Sequence, residues 1–137
     1  MSGPLLVSNL ANKICLLIAE DSQGTRHNLL NLLSLEPDIA VVGTAGNGKQ
    51  AIELAFQLRP DVILMDINLP EIDGITATTQ IRSRLPATAV VIMSIQDEES
   101  YFRRATQAGA HSFLVKPFSG DELMHAIYSA ARRPFPQ

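Results

Sequence analysis

The chain has 137 residues, a net charge of −3, 46% hydrophobic residues and only 5% aromatic residues. The apolar share argues against a disordered chain, and the acidic balance leaves no basic footprint for nucleic acid. The length fits one compact domain with a mainly aliphatic core, and no apolar run approaches the roughly 20 residues of a membrane span.

Short apolar segments alternate with amphipathic segments along the first half of the chain. The run ICLLI at 14–18 is typical of a strand buried on both faces. TRHNLLNLLSLE then has leucines at helical spacing, and Pro37 is expected to stop this helix. IAVVGTA predicts a second strand, and NGKQAIELAFQLR predicts a second helix with Asn47 as its N-cap.

The second half of the chain repeats this alternation. DVILMD predicts a third strand, and Asp73 is a candidate cap for the helix GITATTQIRSRL, where Thr76 to Thr79 are expected on the surface. AVVIMSI predicts a fourth strand, and DEESYFRRATQAG a fourth helix that ends at Gly109. HSFLVKP predicts a fifth strand, and SGDELMHAIYSAARR a fifth helix capped by Ser119. Five such units predict a parallel sheet covered on both faces by helices.

Polar groups occur at the ends of four predicted strands. Ligands of parallel α/β sheets bind at the carboxyl ends of the strands, so these groups are expected at one edge. Polar loops or a surface lysine would explain any one of them alone, but complementary groups on four strands favour a site. The group comprises three carboxylates, a hydroxyl, an amine and an aromatic ring: Glu20, Asp21, Asp66, Ser94, Lys116 and Phe113.

These residue types suit phosphoryl chemistry. Clustered carboxylates repel one another unless a cation bridges them, and oxygen ligands with open positions suit Mg²⁺. A carboxylate can attack phosphorus and form an acyl phosphate. The added charge needs a metal ion, a hydroxyl donor and a cation, and Ser94 and Lys116 could supply the last two.

Four stretches, LIAEDS, VILMDINLPEIDGI, VVIMS and FLVKPF, resemble the receiver domains of two-component response regulators. The resemblance covers residues 13–133 and implies a flavodoxin-like (βα)5 fold of the α/β class, similar to chemotaxis regulators, with strand order 2-1-3-4-5. It divides the chain into an N-terminal extension at 1–12, a receiver domain at 13–133 and a tail or linker start at 134–137.

The resemblance also implies how phosphate and metal are bound. Asp66 would accept a phosphoryl group from a histidine kinase or a phosphotransfer protein. Asp21 would bind Mg²⁺ directly and Glu20 directly or through water, and Asp66 and the backbone carbonyl of Asn68 would complete the metal site. Lys116 would bond a phosphoryl oxygen. The domain would then be a signalling switch that catalyses only its own phosphotransfer and slow dephosphorylation.

The switch implied by the resemblance involves the neighbouring residues. Ser94 would bond another phosphoryl oxygen, and Phe113 would turn inward as Ser94 moves. Pro117 would follow a cis peptide bond with Lys116. The fourth helix, fifth strand and fifth helix would form the face that binds a partner or a second copy. The aromatic pair at 101–102 is expected to expose at least one ring on that face.

Three positions depart from the commonest pattern of the family. Ser94 stands where threonine is more usual, and Phe113 has no phenol to form a hydrogen bond when it turns inward. Ile95 stands where the family usually has a small residue. A branched side chain there would crowd the phosphate and the attacking water, which predicts a slowly decaying phosphoaspartate or slow phosphorylation by small molecules.

The stretch GTAGNGKQ at 43–50 matches the G-x-x-x-x-G-K pattern of a nucleotide-binding loop. Gln50 replaces the hydroxyl residue that would bind Mg²⁺, and Gly43 lies inside a predicted strand. The stretch indicates a strand-to-helix turn instead, where glycine and asparagine supply unusual backbone angles. A small ATPase is therefore disfavoured.

The output of the domain stays open at this level. It could be a free-standing receiver that binds another protein, or the amino-terminal part of a longer regulator, which the linker-like Pro-Phe-Pro at 134–136 favours. Parts of the sequence resemble receivers fused to DNA-binding modules and others fused to ParA-like ATPase domains. A receiver-like module that is never phosphorylated is the alternative of a different class. No membrane contact or direct nucleic-acid binding is expected of this domain.

The remaining candidate residues indicate structure rather than chemistry. Cys15 is the only cysteine, so it cannot form an internal disulfide, and it is expected to be a small buried side chain. The first ten residues lack the basic segment of a signal peptide, and a reduced, cytoplasmic setting is expected. The three histidines do not cluster in sequence, and the arginine pairs at 103–104 and 132–133 are expected on solvated helix faces.

Overall fold

The computed structural model describes residues 12–136 of the chain. Within them, five strands alternate with five helices. The strands are β1 (Ile14–Ala19), β2 (Ile39–Ala45), β3 (Val62–Asp66), β4 (Ala89–Ser94) and β5 (Ser112–Val115). The helices are α1 (Gln23–Leu33), α2 (Gly48–Leu58), α3 (Gly74–Arg84), α4 (Glu99–Gln107) and α5 (Gly120–Ala130). The extension expected at 1–12 falls outside the described residues, apart from Asn12.

The strands form one parallel sheet in the order β2-β1-β3-β4-β5, which confirms the predicted doubly wound fold. One core layer lies between the sheet and helices α1 and α5, and the other between the sheet and helices α2, α3 and α4. Apart from Cys15 and Ala89, the residues of the central strands β1, β3 and β4 are buried because helices cover both faces, which explains their continuous apolar runs. Among residues 12–136, no helix has the length and apolar character that crossing a bilayer requires.

Side-chain caps start four of the five described helices. Asn47, Asp73 and Ser119 each accept a hydrogen bond from the third residue beyond, as predicted. Ser22 caps α1 in the same way and was not predicted. Helix α4 follows Glu98, whose side chain makes no capping hydrogen bond. The start of α4 therefore lacks an interaction that each of the other helices has.

The opposite end of α4 is held by an arginine of α3. The Nε of Arg82 donates to the carbonyl of Gly109, just beyond α4, at 3.1 Å. The same guanidinium donates to the carbonyl of Thr88 at 2.8 Å. Gly109 has a φ of +99°, a conformation that favours glycine. Helix α4 is thus fastened at its carboxyl end.

Glycines at the starts of α2 and α3 allow close backbone contacts. A Cβ on Gly48 would lie 1.7 Å from the carbonyl oxygen of Ile72, and one on Gly74 would lie 2.1 Å from that of Asp66. The prediction of unusual backbone angles in the turn before α2 was wrong. Asn47 is extended, and none of the glycines near this turn has a positive φ, since Gly109 is the only described glycine that does. Close packing, rather than turn geometry, requires glycine at position 48.

Two further expectations about burial were wrong. Cys15 is only half-buried, and burial together with the charge of Asp61 raises the pKa of its thiol. Thr78, expected on the surface, is fully buried, and its hydroxyl donates to the carbonyl of Gly74 at 2.7 Å. In both cases the burial of the side chain depends on how far the neighbouring elements cover that position of the strand or helix.

Candidate functional site

The polar residues at the strand ends meet at the carboxyl edge of the sheet. Parallel pairing aligns Ala19 with Met65, and Ser94 with Val115, so the residues at or just after these strand ends are neighbours. Glu20, Asp66 and Ser94 are almost fully buried, at 2%, 6% and 0% exposure. Buried carboxylates require partners, since an isolated buried charge is costly.

Lys116 supplies the partner for two of the carboxylates. Its Nζ lies 2.8 Å from Oε1 of Glu20 and 3.5 Å from Oδ1 of Asp66. The backbone N–H of Lys116 donates to the carbonyl of Ser94 at 2.7 Å, which fixes the lysine at the edge of β4. The peptide bond between Lys116 and Pro117 is cis. The structure therefore brings the acids, the hydroxyl residue and the amine together, as the sequence predicted.

The three acids form a cluster that fits a divalent cation. Glu20, Asp21 and Asp66 each place one carboxylate oxygen within 4.8 Å of the others. Hard oxygen ligands of this kind suit Mg²⁺, and the exposure of Asp21 leaves room for the waters that Mg²⁺ keeps. Asn68 is exposed, and its backbone amide acts to lower the pKa of the Asp66 carboxyl. A metal contact through the Asn68 carbonyl stays a prediction.

The environment shifts the titration of the two central groups. Burial, together with the charge of Glu20, raises the pKa of Asp66 to about 6, against the opposing effects of Lys116 and the Asn68 amide. Burial by itself would lower the pKa of Lys116, but its hydrogen bond to Glu20 and the charge of Asp66 raise it above the ordinary value. At pH 7 the lysine is charged, and Asp66 is mainly a carboxylate that can act as a nucleophile.

The raised pKa of Asp66 predicts a pH-dependent stability. The folded protein holds the Asp66 proton more tightly than the unfolded chain, so the resulting stabilisation is complete below pH 3.8 and is lost as the pH rises through about 6. In EDTA, we expect Asp66→Asn to raise Tm by about 3 °C or more at pH 7 relative to wild type. Thermal unfolding between pH 4 and pH 7.5 measures this, with the exposed helical Glu53→Gln as control. A difference in Tm that is the same at every pH would contradict the assignment.

Ser94 and Phe113 lie on the route from the acids to α4. The Oγ of Ser94 accepts a hydrogen bond from the backbone N–H of Gln96 at 3.0 Å. The half-buried ring of Phe113 packs edge-on against Phe102 of α4, with 4.5 Å between centroids. Tyr101 and Phe102 are both half-buried, so the expected exposed aromatic ring is absent from the described part of α4. A motion of Phe113 would therefore change its packing contact with Phe102.

The other residues singled out in the sequence do not join the acid cluster within residues 12–136. His27 is exposed on α1, and His125 stacks on Phe135 at 3.8 Å between centroids. His111 lines a cavity of about 490 Å³; Asp61 also lines this cavity, and none of the clustered acids does. Gly43 of the G-x-x-x-x-G-K match lies within β2, as expected, so it cannot begin a loop of free N–H groups.

One residue near the acids was missed by the sequence analysis. Arg26 of α1 donates from Nη1 to the backbone carbonyl of Glu20 at 2.6 Å. An arginine on an amphipathic helix is normally expected on its solvated face, and no motif marked this one. The only sign in the sequence that Arg26 could contact the strand end is its spacing from Glu20 and from the cap. Arg26 lies about one helical turn after the cap Ser22, on the side of α1 that faces the end of β1.

Comparison with known proteins agrees with this geometry. The family model described as response regulator receiver domain matches residues 16–128. The transcriptional regulatory protein DegU of Brevibacillus brevis is 38% identical over 121 residues, which cover 88% of this chain and 51% of that protein. The transcriptional regulatory protein PdtaR of Mycobacterium tuberculosis is 39% identical over 133 residues, which cover 97% of this chain and 64% of that protein.

Solved structures show the same fold. The signal receiver domain of the putative response regulator NarL from Mycobacterium tuberculosis superposes with a TM-score of 0.85 at 32% identity, covering 88% of this chain and 98% of that one. The present chain therefore spans nearly all of a solved receiver domain, but only about half to two thirds of the length of the curated relatives it matches.

Proposed function

This chain belongs to the family of response regulator receiver domains, and from that membership we propose that it is a signalling switch whose Asp66 accepts a phosphoryl group. The observation that carries the proposal is the position of the Asp66 carboxylate. It is buried beside the Lys116 ammonium and within 4.8 Å of carboxylate oxygens of Glu20 and Asp21. This combination provides a nucleophile, a cation and a divalent-metal cluster at one strand end.

The proposed reaction is a phosphoryl transfer to Asp66. A carboxylate oxygen of Asp66 forms a bond to phosphorus, while the bond from phosphorus to a donor histidine nitrogen breaks and its electron pair returns to the imidazole. Mg²⁺ held by Glu20, Asp21 and Asp66 would neutralise charge on the phosphoryl oxygens. Transfer then needs little covalent chemistry from the other residues, which act by position and charge.

Ser94 and Lys116 are assigned the remaining contacts. The Lys116 ammonium lies close enough to Asp66 to pair with a phosphoryl oxygen there. The Ser94 oxygen accepts from the Gln96 amide, so its own O–H remains able to donate to another phosphoryl oxygen. Hydrolysis by water would later reset the switch, which makes the domain a catalyst only of its own phosphorylation and dephosphorylation.

The proposed output is a change of the surface formed by α4, β5 and α5. Movement of Ser94 toward the phosphate would free space for Phe113, whose ring now packs on Phe102. Phosphorylation would thereby favour one of two packings of this surface. The proposed partners are a histidine kinase or phosphotransfer protein, together with a second copy, a target protein or a fused output domain.

The setting of the domain is also proposed. DegU and PdtaR are named as transcriptional regulatory proteins and are longer than this chain, which supports a receiver at 13–133 that serves a longer regulator. A cytoplasmic location and the tail or linker start at 134–137 stay part of this proposal. The family model itself matches residues 16–128.

Phosphorylation by acetyl phosphate tests the proposal. With Mg²⁺, we expect wild type to gain the mass of one phosphoryl group and Asp66→Asn to gain none. Beryllofluoride should shift the amide NMR signals of Phe113 and α4 in wild type only. A wild-type protein that is modified at another residue, or that responds to neither reagent, contradicts the proposed role of Asp66.

Ile95 is expected to slow the decay of the phosphorylated state. Its side chain is 70% exposed and directly follows Ser94, so it can shield an acyl phosphate from water. We expect Ile95→Ala to increase the dephosphorylation rate by roughly threefold or more. Loss of the phosphoryl mass with time gives the rate, and Leu35→Ala, at a 77% exposed site on the loop after α1, is the control. Equal rates in Ile95→Ala and wild type would exclude the shielding role.

A further inference from the structure

Arg26 contacts the backbone of two of the clustered acids. Its Nη1 donates to the carbonyl oxygen of Glu20 at 2.6 Å and lies 3.5 Å from that of Asp21. The side chain is half-buried, which is unusual for an arginine near the start of a surface helix. The guanidinium therefore bridges α1 to the β1–α1 loop by charge-assisted hydrogen bonding rather than extending into solvent.

The same guanidinium lies against the next loop of the edge. A Cβ on Gly46 would lie 3.8 Å from Nη1 of Arg26 and 3.9 Å from Oε1 of Gln50. That Gln50 oxygen accepts from the Gly46 amide at 2.8 Å. Arg26 thus fills the space between the β1–α1 loop and the β2–α2 loop, and Gln50 fixes the backbone against which it lies.

Glu20 and Asp21 differ in how they are held. The Glu20 carboxylate accepts hydrogen bonds from the Lys116 ammonium and from the backbone N–H of Ser22. The backbone N–H of Glu20 donates to the carbonyl of Ala45. Within residues 12–136, the exposed Asp21 carboxylate has no hydrogen-bond partner. The place of this carboxylate beside the other acids therefore depends on the backbone that carries it, and Arg26 is the side chain whose Nη1 contacts that backbone at Glu20 and Asp21.

We propose that Arg26 is a positioning residue, which fixes the Glu20–Asp21 backbone so that the Asp21 carboxylate faces the other two acids in a geometry fit for Mg²⁺. The inference deepens the proposed function and rests on it. Outer-shell groups that orient metal ligands commonly change metal affinity about tenfold or more when they are removed. Arg26 would act through the main chain and would not contact the metal.

If Arg26 acted only through its charge, its removal would change Mg²⁺ affinity in the direction opposite to that expected for a positioning residue. A cation close to three carboxylates repels Mg²⁺, so removal of a purely electrostatic Arg26 would tighten Mg²⁺ binding. Removal of a positioning Arg26 would weaken it, because Asp21 would lose its fixed direction. The sign of the change in Mg²⁺ affinity therefore separates the two roles.

Mg²⁺ titration of the unphosphorylated protein, followed by amide NMR, measures this sign. We expect the Mg²⁺ dissociation constant to rise about tenfold in Arg26→Met, which keeps an apolar stem without charge or donors. Arg26→Lys keeps the charge on a shorter side chain that ends in an ammonium, which cannot place a donor where Nη1 now lies, so its constant should also rise, by a smaller factor. Arg103→Met, at an exposed position of α4, should match wild type. Unchanged or tighter binding in Arg26→Met overturns the inference.

Amide hydrogen exchange in EDTA gives a readout without metal. In Arg26→Met, the amides of Glu20 and Ser22, which donate to the Ala45 carbonyl and to the Glu20 carboxylate, should exchange faster, while Leu64 in the central strand should keep the wild-type rate. Unchanged exchange at Glu20 and Ser22 overturns the inference even if Mg²⁺ binding weakens. Faster exchange at Leu64 as well would mean general destabilisation, and it would also count against a positioning role.

The proposed function and this inference fail in different ways. Wild type that binds Mg²⁺ and accepts phosphate, alongside an Arg26→Met variant that binds Mg²⁺ equally well, overturns the inference alone. Wild type that binds no Mg²⁺ contradicts the proposed function, and the inference then fails with it. If the inference holds, saturating Mg²⁺ should restore the phosphorylation rate of Arg26→Met to near the wild-type value, since Asp66 and Lys116 are untouched.

Discussion

Lys116→Met should lower the rate of Asp66 phosphorylation by about a hundredfold or more. The substitution keeps the length of the side chain but removes the ammonium that lies 2.8 Å from Glu20 and 3.5 Å from Asp66. Two buried carboxylates would then face each other without their cation, so the pKa of Asp66 should rise further above its already raised value of about 6. Both the nucleophile and the stabilisation of the phosphoryl charge would be weakened.

The pH profile of phosphorylation separates this role from a loss of folding. Initial rates with acetyl phosphate and Mg²⁺ between pH 5.5 and 8.5 should show the rise in activity of Lys116→Met displaced to higher pH relative to wild type. Lys49→Met, at an exposed position of α2, is the matched control and should behave as wild type. If Lys116→Met retains a rate within about threefold of wild type, the assigned electrostatic role is wrong.

Gly48→Ala is expected to destabilise the protein by about 3 kcal/mol or more, or to prevent folding. The added Cβ would lie 1.7 Å from the Ile72 carbonyl oxygen, so the start of α2 or the β3–α3 loop must move. The clash is with backbone rather than with the flexible end of a side chain. Relief by a rotamer change is therefore unavailable, and the loop that follows Asp66 would be displaced.

Gly120 provides a matched control for this substitution. Gly48 and Gly120 are the first residues of α2 and α5, but a Cβ on Gly120 would meet nothing within 4 Å. Gly120→Ala should therefore be neutral or stabilise by up to about 1 kcal/mol through helix propensity. Urea unfolding of both variants gives the comparison. A Gly48→Ala protein as stable as Gly120→Ala would show that the β3–α3 loop yields at little cost.

Much of the fold was predictable because local pattern and tertiary environment agree. The apolar runs at 14–18 and 62–66 are buried strands, since a parallel sheet covered by helices hides both faces. Asn47 and Asp73 cap helices because their short polar side chains reach the free N–H groups of the first turn. The grouping of the site followed from the rule that ligands gather at the carboxyl edge.

The features that were missed depend on contacts between distant segments. Gly48 is required by the carbonyl of Ile72, 24 residues away in sequence, which no turn pattern reveals. Cys15 is half-buried because of how neighbouring elements cover its strand, and Arg26 turns toward loop carbonyls instead of solvent. The sequence placed Lys116 at the same edge as Glu20 and Asp66, but it did not show that the lysine lies closer to Glu20 than to Asp66.

The uneven fastening of α4 has a mechanical consequence. Its carboxyl end is tied to Arg82 through Gly109, whereas its first turn, close to Ser94 and Gln96, has no side-chain cap. A missing cap makes the first turn cheaper to displace by about 1 kcal/mol. A displacement that starts at Ser94 is therefore expected to rotate α4 about its carboxyl end at Gly109. The displacement would be greatest in the first turn of the helix, would be smaller at Phe102, and would be smallest at the end held by Arg82.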